Sequence, residues 1–259
     1  MTILLYEQQA DVVRLTMNRP EVRNALGREL VTALRDGIER ACADDEVRAI
    51  VLAGAGPVFC AGADVNEYRT VADRQQVTDE GGRLYDLLDY MARCEKPIIG
   101  RVQRAAFGGA VGIVAACDMV VAANDTRFSL SEARLGIVPA VISQALMTSL
   151  SPRNARQLTL RSEPFDAATA VRAGLIQVAV PERELDAIIA VWTGEIRAGA
   201  PGALAGAKAL FHAMTHGDMS PEERRERIVE LGAERRLSAE GQEGLGAFLE
   251  KRRPAWNPE

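Results

Sequence analysis

Apolar and polar residues alternate from Leu4 to Gln8 and again from Val12 to Met17, on either side of Gln9-Ala10-Asp11. That pattern predicts a pair of strands. Asn18-Arg19-Pro20 breaks it, and the period then changes. Leu26, Leu30, Leu34, Ile38 and Ala41 recur at helical spacing, which predicts a helix from Leu26 to Cys42 with one buried face. Asp44-Asp45 ends it, and Ala49 to Ala53 reads as a short buried strand. A loop opens at Gly54-Ala55-Gly56-Pro57 and leads into small residues from Cys60 to Asp64. Tyr68 to Glu80 is polar and charged, the composition of a mobile surface segment. Leu84 to Cys94 is an amphipathic helix stopped by Glu95-Lys96-Pro97.

The stretch with no polar side at all lies in the middle. A strand from Pro97 to Val102 is followed by Phe107-Gly108-Gly109-Ala110-Val111-Gly112 and then by the small apolar run Ile113 to Cys117. Glycines make a poor core strand, so this predicts a glycine-lined loop entering a buried helix from about Gly109 to Cys117. A helix beginning on glycines presents free N–H groups to whatever lies before it, and nothing blocks close approach. Further strands are expected at Met119–Ala123, Arg127–Leu130 and Ile176–Val180. A turn is expected at Ser131–Gly136, with Ser131 as its cap. Helices are expected at Arg153–Leu160, Phe165–Ala173, Glu184–Ala198, Gly202–Met214, Pro221–Leu237 and Ala239–Lys251. The chain therefore divides into an α/β body, 1–198, and an all-helical region, 199–259.

Composition narrows the partners. The net charge is −5 and the basic residues are scattered, which argues against nucleic acid. No apolar run approaches the roughly 20 residues that span a bilayer, and the first residues lack the pattern of a secretory signal. Cys42, Cys60, Cys94 and Cys117 stand far apart with no CxxC spacing, so all four are expected reduced, in a cytoplasmic protein. His212 and His216 sit four apart on a predicted helix, but no third ligand accompanies them, so no metal site is expected.

The turns at Cys60–Asp64 and Gly108-Gly109 each follow a buried strand with free N–H groups. Each alone reads equally as a tight packing turn. Converging, they would hold one oxygen between two donors, the requirement of an enolate or tetrahedral oxyanion. Glu132 follows a predicted strand among Phe128, Leu130, Leu135 and Ile137, where desolvation would raise its pKa. A glutamate in a first helical turn can also simply serve the cap.

These motifs together resemble the enoyl-CoA hydratase/isomerase (crotonase) superfamily over essentially the whole chain. The resemblance rests on Asn18-Arg19-Pro20 with Asn24-Ala25-Leu26, on Phe59 to Asp64, on Phe107-Gly108-Gly109 with Ala115 to Asp118, and on Ser131-Glu132 with Leu135 to Pro139. It implies a right-handed ββα spiral with a C-terminal helical region that assembles homotrimers or dimers of trimers. It implies that the N–H groups of Ala63 and Gly109 polarise an acyl-CoA thioester carbonyl, with Glu132 as acid and base. Ala25, Ala61, Asp64, Val65 and Gly108 would line the path of the CoA moiety. CoA enters as part of the substrate, and no separate cofactor is implied. One departure is informative: hydratases of this family usually carry a second glutamate where this chain has Gly112. Gly112 is expected to leave room for acyl bulk or an ordered water, with Pro139 and Ala140 also bordering the acyl pocket. The surrounding wording looks like methylglutaconyl-CoA and isohexenylglutaconyl-CoA hydratases, whose substrates carry a second carboxylate. The implied activity is thus hydration of an enoyl-CoA, branched or carboxylated. A Δ3,Δ2-isomerase using Glu132 alone, or a non-catalytic acyl-CoA binder, are the alternatives.

Overall fold

The computed structural model describes residues 2–70, 73–216 and 219–257. In chain order the elements are β1 (Leu4–Gln9), β2 (Val12–Met17), α1 (Arg28–Cys42), β3 (Ala49–Gly54), α2 (Val65–Thr70) and α3 (Arg74–Arg93). There follow β4 (Ile98–Val102), β5 (Ala105–Phe107), α4 (Gly109–Ala116), β6 (Met119–Ala123), β7 (Arg127–Ser129) and α5 (Ser143–Ser149). The chain continues with α6 (Pro152–Arg161), β8 (Phe165–Asp166), α7 (Ala167–Ala173), β9 (Val178–Val180), α8 (Leu185–Ala198), α9 (Pro201–His216), α10 (Pro221–Leu237) and α11 (Ala239–Glu250).

A six-stranded sheet runs β1-β2-β3-β4-β6-β9, antiparallel at the first pair and parallel thereafter. A parallel sheet needs cover on both faces, and the strands show it. Every residue of β3 is buried. Ile50 and Leu52 join one apolar core with α1, α3 and α4, while Ala49 and Val51 join a second core with Leu185, Ile189 and Ile196 of α8. Arg14 and Arg101 meet Asp186 in the first turn of α8 and secure that helix to the sheet; hydrogen bonds and charge from these guanidinium groups, Arg101 first, pull the Asp186 pKa down to about 2 against the opposing effect of its partial burial. A smaller sheet, β5-β7-β8, carries the glycine turn at its end.

Besides Phe165–Asp166, a strand at the expected start of the helix to Ala173, three features differ from the sequence pattern. The polar stretch expected to be mobile is helical on both sides of residues 71–72, which lie outside the described part. α3 starts at Arg74, where the Asp73 side chain accepts the Gln75 N–H, and not at Leu84. Its first turns are solvated all round, so only the second half shows an apolar face. Second, β5 and α5 are too short to leave a period. Third, Cys42 and Cys94 are disulfide-bonded, with Cα atoms 6.7 Å apart, which corrects the expectation of four reduced thiols. Side-by-side packing of α1 and α3 brings their C-terminal ends together across 52 residues of sequence, a separation at which spacing carries no signal.

The expected boundary at 198/199 falls between α8 and α9. Beyond it α9, α10 and α11 pack on one another, and α10 buries no residue. Arg48 holds the start of this region by donating to the Gly199 carbonyl at 2.6 Å. Among the described residues, no helix is long and apolar enough to cross a membrane.

Candidate active site

The site is built where two loops are pressed against each other. Cys60 bridges to Ala106 in parallel fashion, and Leu26 bridges to Ala63. Gly62 adopts φ +94°, and a Cβ placed there would stand 2.5 Å from the Phe107 carbonyl oxygen. Only glycine fits both the dihedral and the space. One residue beyond Gly62 stands Ala63, and two beyond Phe107 stands Gly109. The neighbouring N–H groups are spent: Leu26 donates to Gly62, Asp64 to Leu26, and Gly108 to Ser129. Ala63 has no acceptor for its N–H among the described residues, and Gly109, first residue of α4, has none within its helix. Ala63, Gly108 and Gly109 are half-buried, whereas Gly62, Ala106 and Ala110 around them are buried. The donors thus surface in an otherwise closed wall.

The loop carrying Ala63 is held by a polar hub that sequence reading did not isolate. Asn24 is fully buried; its amide donates to the carbonyls of Ala55, Val58 and Phe59 at 2.9–3.0 Å, and its oxygen accepts the Arg19 N–H at 2.9 Å. The Cys60 thiol donates to the Asn24 carbonyl, and burial pushes that thiol's pKa up to about 12. Arg19 in turn reaches the Ala25 carbonyl and the Asp64 carboxylate. Arg23 and Asn24 both take left-handed φ of +54°, which asparagine tolerates by local hydrogen bonding.

Glu132 opens a 3-10 turn, Glu132–Leu135, after β7. Ser131 stands at its cap position but makes no side-chain cap bond. One carboxylate oxygen of Glu132 lies 3.3 Å from the position a Gly108 Cβ would take. The other is buried with no hydrogen-bond partner. Burial accordingly raises the Glu132 pKa above the ordinary carboxylate value. Of the four apolar neighbours expected, Phe128 and Leu130 are buried, whereas Leu135 and Ile137 are exposed. Tyr68 of α2, placed by sequence in the mobile stretch, lies within electrostatic range of this carboxyl: partial burial first, then the negative charges of Glu80 and Glu132, raise its phenol pKa.

Ala25 and Ala61 flank the two turns, with the Ala61 N–H donating to Arg23. Asp64 is buried, bonding the Asn66 N–H and pairing with Arg19, while Val65 is exposed at the start of α2. Pro139 and Ala140 lie in the loop before α5, and Ala140 is exposed. The room expected beside Gly112 is filled. A Cβ there would overlap the Ile142 side chain and stand 3.2 Å from a Leu88 methyl. Thirty residues separate Gly112 from Ile142, so only the packing of α5 on α4 reveals it. His212 lies on α9 away from these turns, and the His216 side chain is outside the described part. Among the described residues, no group of three or more His, Cys, Asp or Glu is gathered as a metal would need.

The family model described as enoyl-CoA hydratase/isomerase matches residues 7–259. The chain belongs to this family. It is 31% identical over 261 residues to the 2,3-dehydroadipyl-CoA hydratase of Escherichia coli (strain K12), covering 98% of both chains. It is 36% identical over 188 residues to a probable enoyl-CoA hydratase of Rhizobium meliloti (strain 1021), covering 71% of each. The crystal structure of enoyl-CoA hydratase from Mycobacterium smegmatis superposes with a TM-score of 0.93 at 32% identity over 99% of both chains. The α/β fold with C-terminal helices is therefore that of the enoyl-CoA hydratase/isomerase family.

Proposed function

We propose that this enzyme hydrates a 2-enoyl-CoA. The Ala63 and Gly109 N–H groups bind the thioester oxygen and draw electron density from the conjugated double bond. Glu132, half-buried and lacking a partner for one oxygen, takes a proton from water as its oxygen bonds to the β-carbon. It then returns a proton to the α-carbon, so that one water is added overall. CoA's own atoms run past Ala25, Ala61, Asp64, Val65 and Gly108. The reading is supported above all by one observation: Gly62 packs against the Phe107 carbonyl, so the loops that carry Ala63 and Gly109 touch, and a Glu132 oxygen lies 3.3 Å from the position a Gly108 Cβ would take. The family match and the named hydratases support it.

The site has one carboxylate where two would divide the work, and Ile142 stands where a second would reach. This keeps the isomerase in view, because a single base can also carry a proton between two carbons. Loss of absorbance from the conjugated enoyl thioester decides between them. A hydratase consumes crotonyl-CoA, and Glu132→Gln lowers its kcat by about 10²–10⁴-fold, the usual worth of a positioned acid–base group. The acidic limb of its pH–rate profile lies above the ordinary carboxylate range. An isomerase acts only on the 3-enoyl isomer, and a binder turns over neither.

A branched or carboxylated acyl chain retains the support of similarity alone, since the volume beside Gly112 is occupied; methylglutaconyl-CoA against crotonyl-CoA tests it. The exposed Phe211, Leu237, Phe248 and Leu249 of the C-terminal helices suit association of copies into the homotrimer or dimer of trimers that the family pattern implies.

A further inference from the structure

The chain leaves the large sheet at Val102 and joins the small one at Ala105, and the two residues between are held at a cost. Arg104 takes φ +59°, and the Ala105 N–H donates back to the Gln103 carbonyl at 2.7 Å. A three-residue turn with positive φ at its centre is the rare and strained form. Gln103 itself is 3% exposed, and its side-chain oxygen is buried with no partner among the described residues. A buried amide left half-satisfied works against stability. Strain and an orphaned acceptor on adjacent residues point to a role other than holding the fold together.

Gln103 is placed to act on both donor turns. Its carbonyl accepts the Phe59 N–H at 3.0 Å; its side-chain amide donates to the Gly54 carbonyl at 2.7 Å and reaches that of Gly56 at 3.4 Å. Asn24 takes the carbonyls of Ala55, Val58 and Phe59, so two buried carboxamides grip the loop that leads to Ala63. Asn24 lies in the chain before that loop, whereas Gln103 lies in the chain that runs to the other donor. Beyond Gln103, the Ala105 carbonyl accepts the Cys60 N–H at 3.1 Å, Phe107 meets Gly62, and Gly109 follows two residues later. The turn at 103–104 fixes where β5 begins, and the amide fixes where the 54–59 loop sits against it. The spacing of the two N–H groups follows from those two positions.

We propose that Gln103 is a positioning residue for the reaction: its buried amide, with the strained turn at Arg104, sets the spacing of the Ala63 and Gly109 donors over the thioester oxygen. Its burial keeps it from the substrate, so it acts through the donors alone. The inference rests on the oxyanion part of the hydratase reading. Donors set at the wrong spacing still receive the ground-state carbonyl but no longer match the oxyanion, so kcat falls while KM holds.

Gln103→Met keeps the length of the side chain and removes both the donor and the orphaned oxygen. Its kcat on crotonyl-CoA is expected to fall about 10–100-fold, with KM within about threefold of wild type. Tm should move by no more than about 4 °C, because losing the hydrogen bond is offset by losing the unpaired acceptor. Gln103→Asn, whose amide falls one methylene short, is expected to lie between. Two esters that are not hydrated read the donors by titration calorimetry. Acetoacetyl-CoA, whose enolate places negative charge on the thioester oxygen, should bind more weakly in step with kcat, while butyryl-CoA binds as in wild type. A kcat within about twofold of wild type in both variants overturns the proposal. So does equal weakening of the two esters, or activity that follows Tm and not enolate affinity. A wild type that hydrates nothing, yet prefers acetoacetyl-CoA to butyryl-CoA and loses that preference in Gln103→Met, removes the hydratase reading and leaves the positioning role standing. One that hydrates crotonyl-CoA, with Gln103→Met indistinguishable from it, does the reverse.

Discussion

The loops around Gly62 and Gly109 and the helices α9–α11 are built to opposite standards. In the loops and the start of α4 little can be added: a Cβ at Gly62 would meet a carbonyl oxygen at 2.5 Å, one at Gly112 would overlap Ile142, and one at Gly109 would press on Leu26 at 3.1 Å. In the helices large apolar side chains stand in solvent, with Leu237 76% and Phe248 80% exposed. Placing a hydrogen-bond donor for a transition state demands tenths of an ångström, which close packing of small residues provides. Association tolerates looser fit and needs area. The first region can be judged from one chain; the second carries the surface we propose for association of copies.

The sharpest break of this contrast is Gly62→Ala. The added methyl meets the Phe107 oxygen, and alanine resists φ +94°, so the Ala63 donor must shift. Loss of one such donor typically costs about 10²–10³-fold in kcat, and that is the expected fall in the hydration assay. Activity within a fewfold of wild type would mean that the contact does not set the donor. Next is Gly112→Glu, which supplies the second carboxylate of other family members. Here it should destabilise the fold by about 1–3 kcal/mol through overpacking against Ile142, and Ile142→Ala should recover part of that loss in denaturant unfolding. An unchanged midpoint for the single variant would show that α5 yields freely. The smallest effect is expected in the tail. Phe248→Ser with Leu249→Ser should change unfolding of the separated chain by less than about 0.5 kcal/mol, as exposed sites do, while lowering the mass seen by light scattering. A full-size assembly from that variant would move the association surface elsewhere.

A short apolar run and a helix opened by Ser220-Pro221 were legible: Met119–Ala123 and Pro221–Leu237 fall where the sequence puts them. The two small-residue turns were legible as candidates, but their pairing came from the family resemblance and not from the residues of either turn. The rest depended on contacts between distant residues. Nothing near Gly112 tells that Ile142 will occupy its free space, and nothing near Cys42 tells that Cys94 will meet it. The first turns of α3 escaped because a helix solvated on every side has no apolar period to show. Asn24 was visible as part of a motif, but its three carbonyl partners come from a separate loop.

The Phe107 oxygen seated on Gly62 also bears on how the molecule can be redesigned. Residues 60–64 and 106–110 offer no side-chain vocabulary for altering selectivity, since almost any letter added there displaces a donor. Variant libraries for new acyl groups belong one layer out, at Leu88 and Ile142 over Gly112, where a change of shape does not touch the two donor turns.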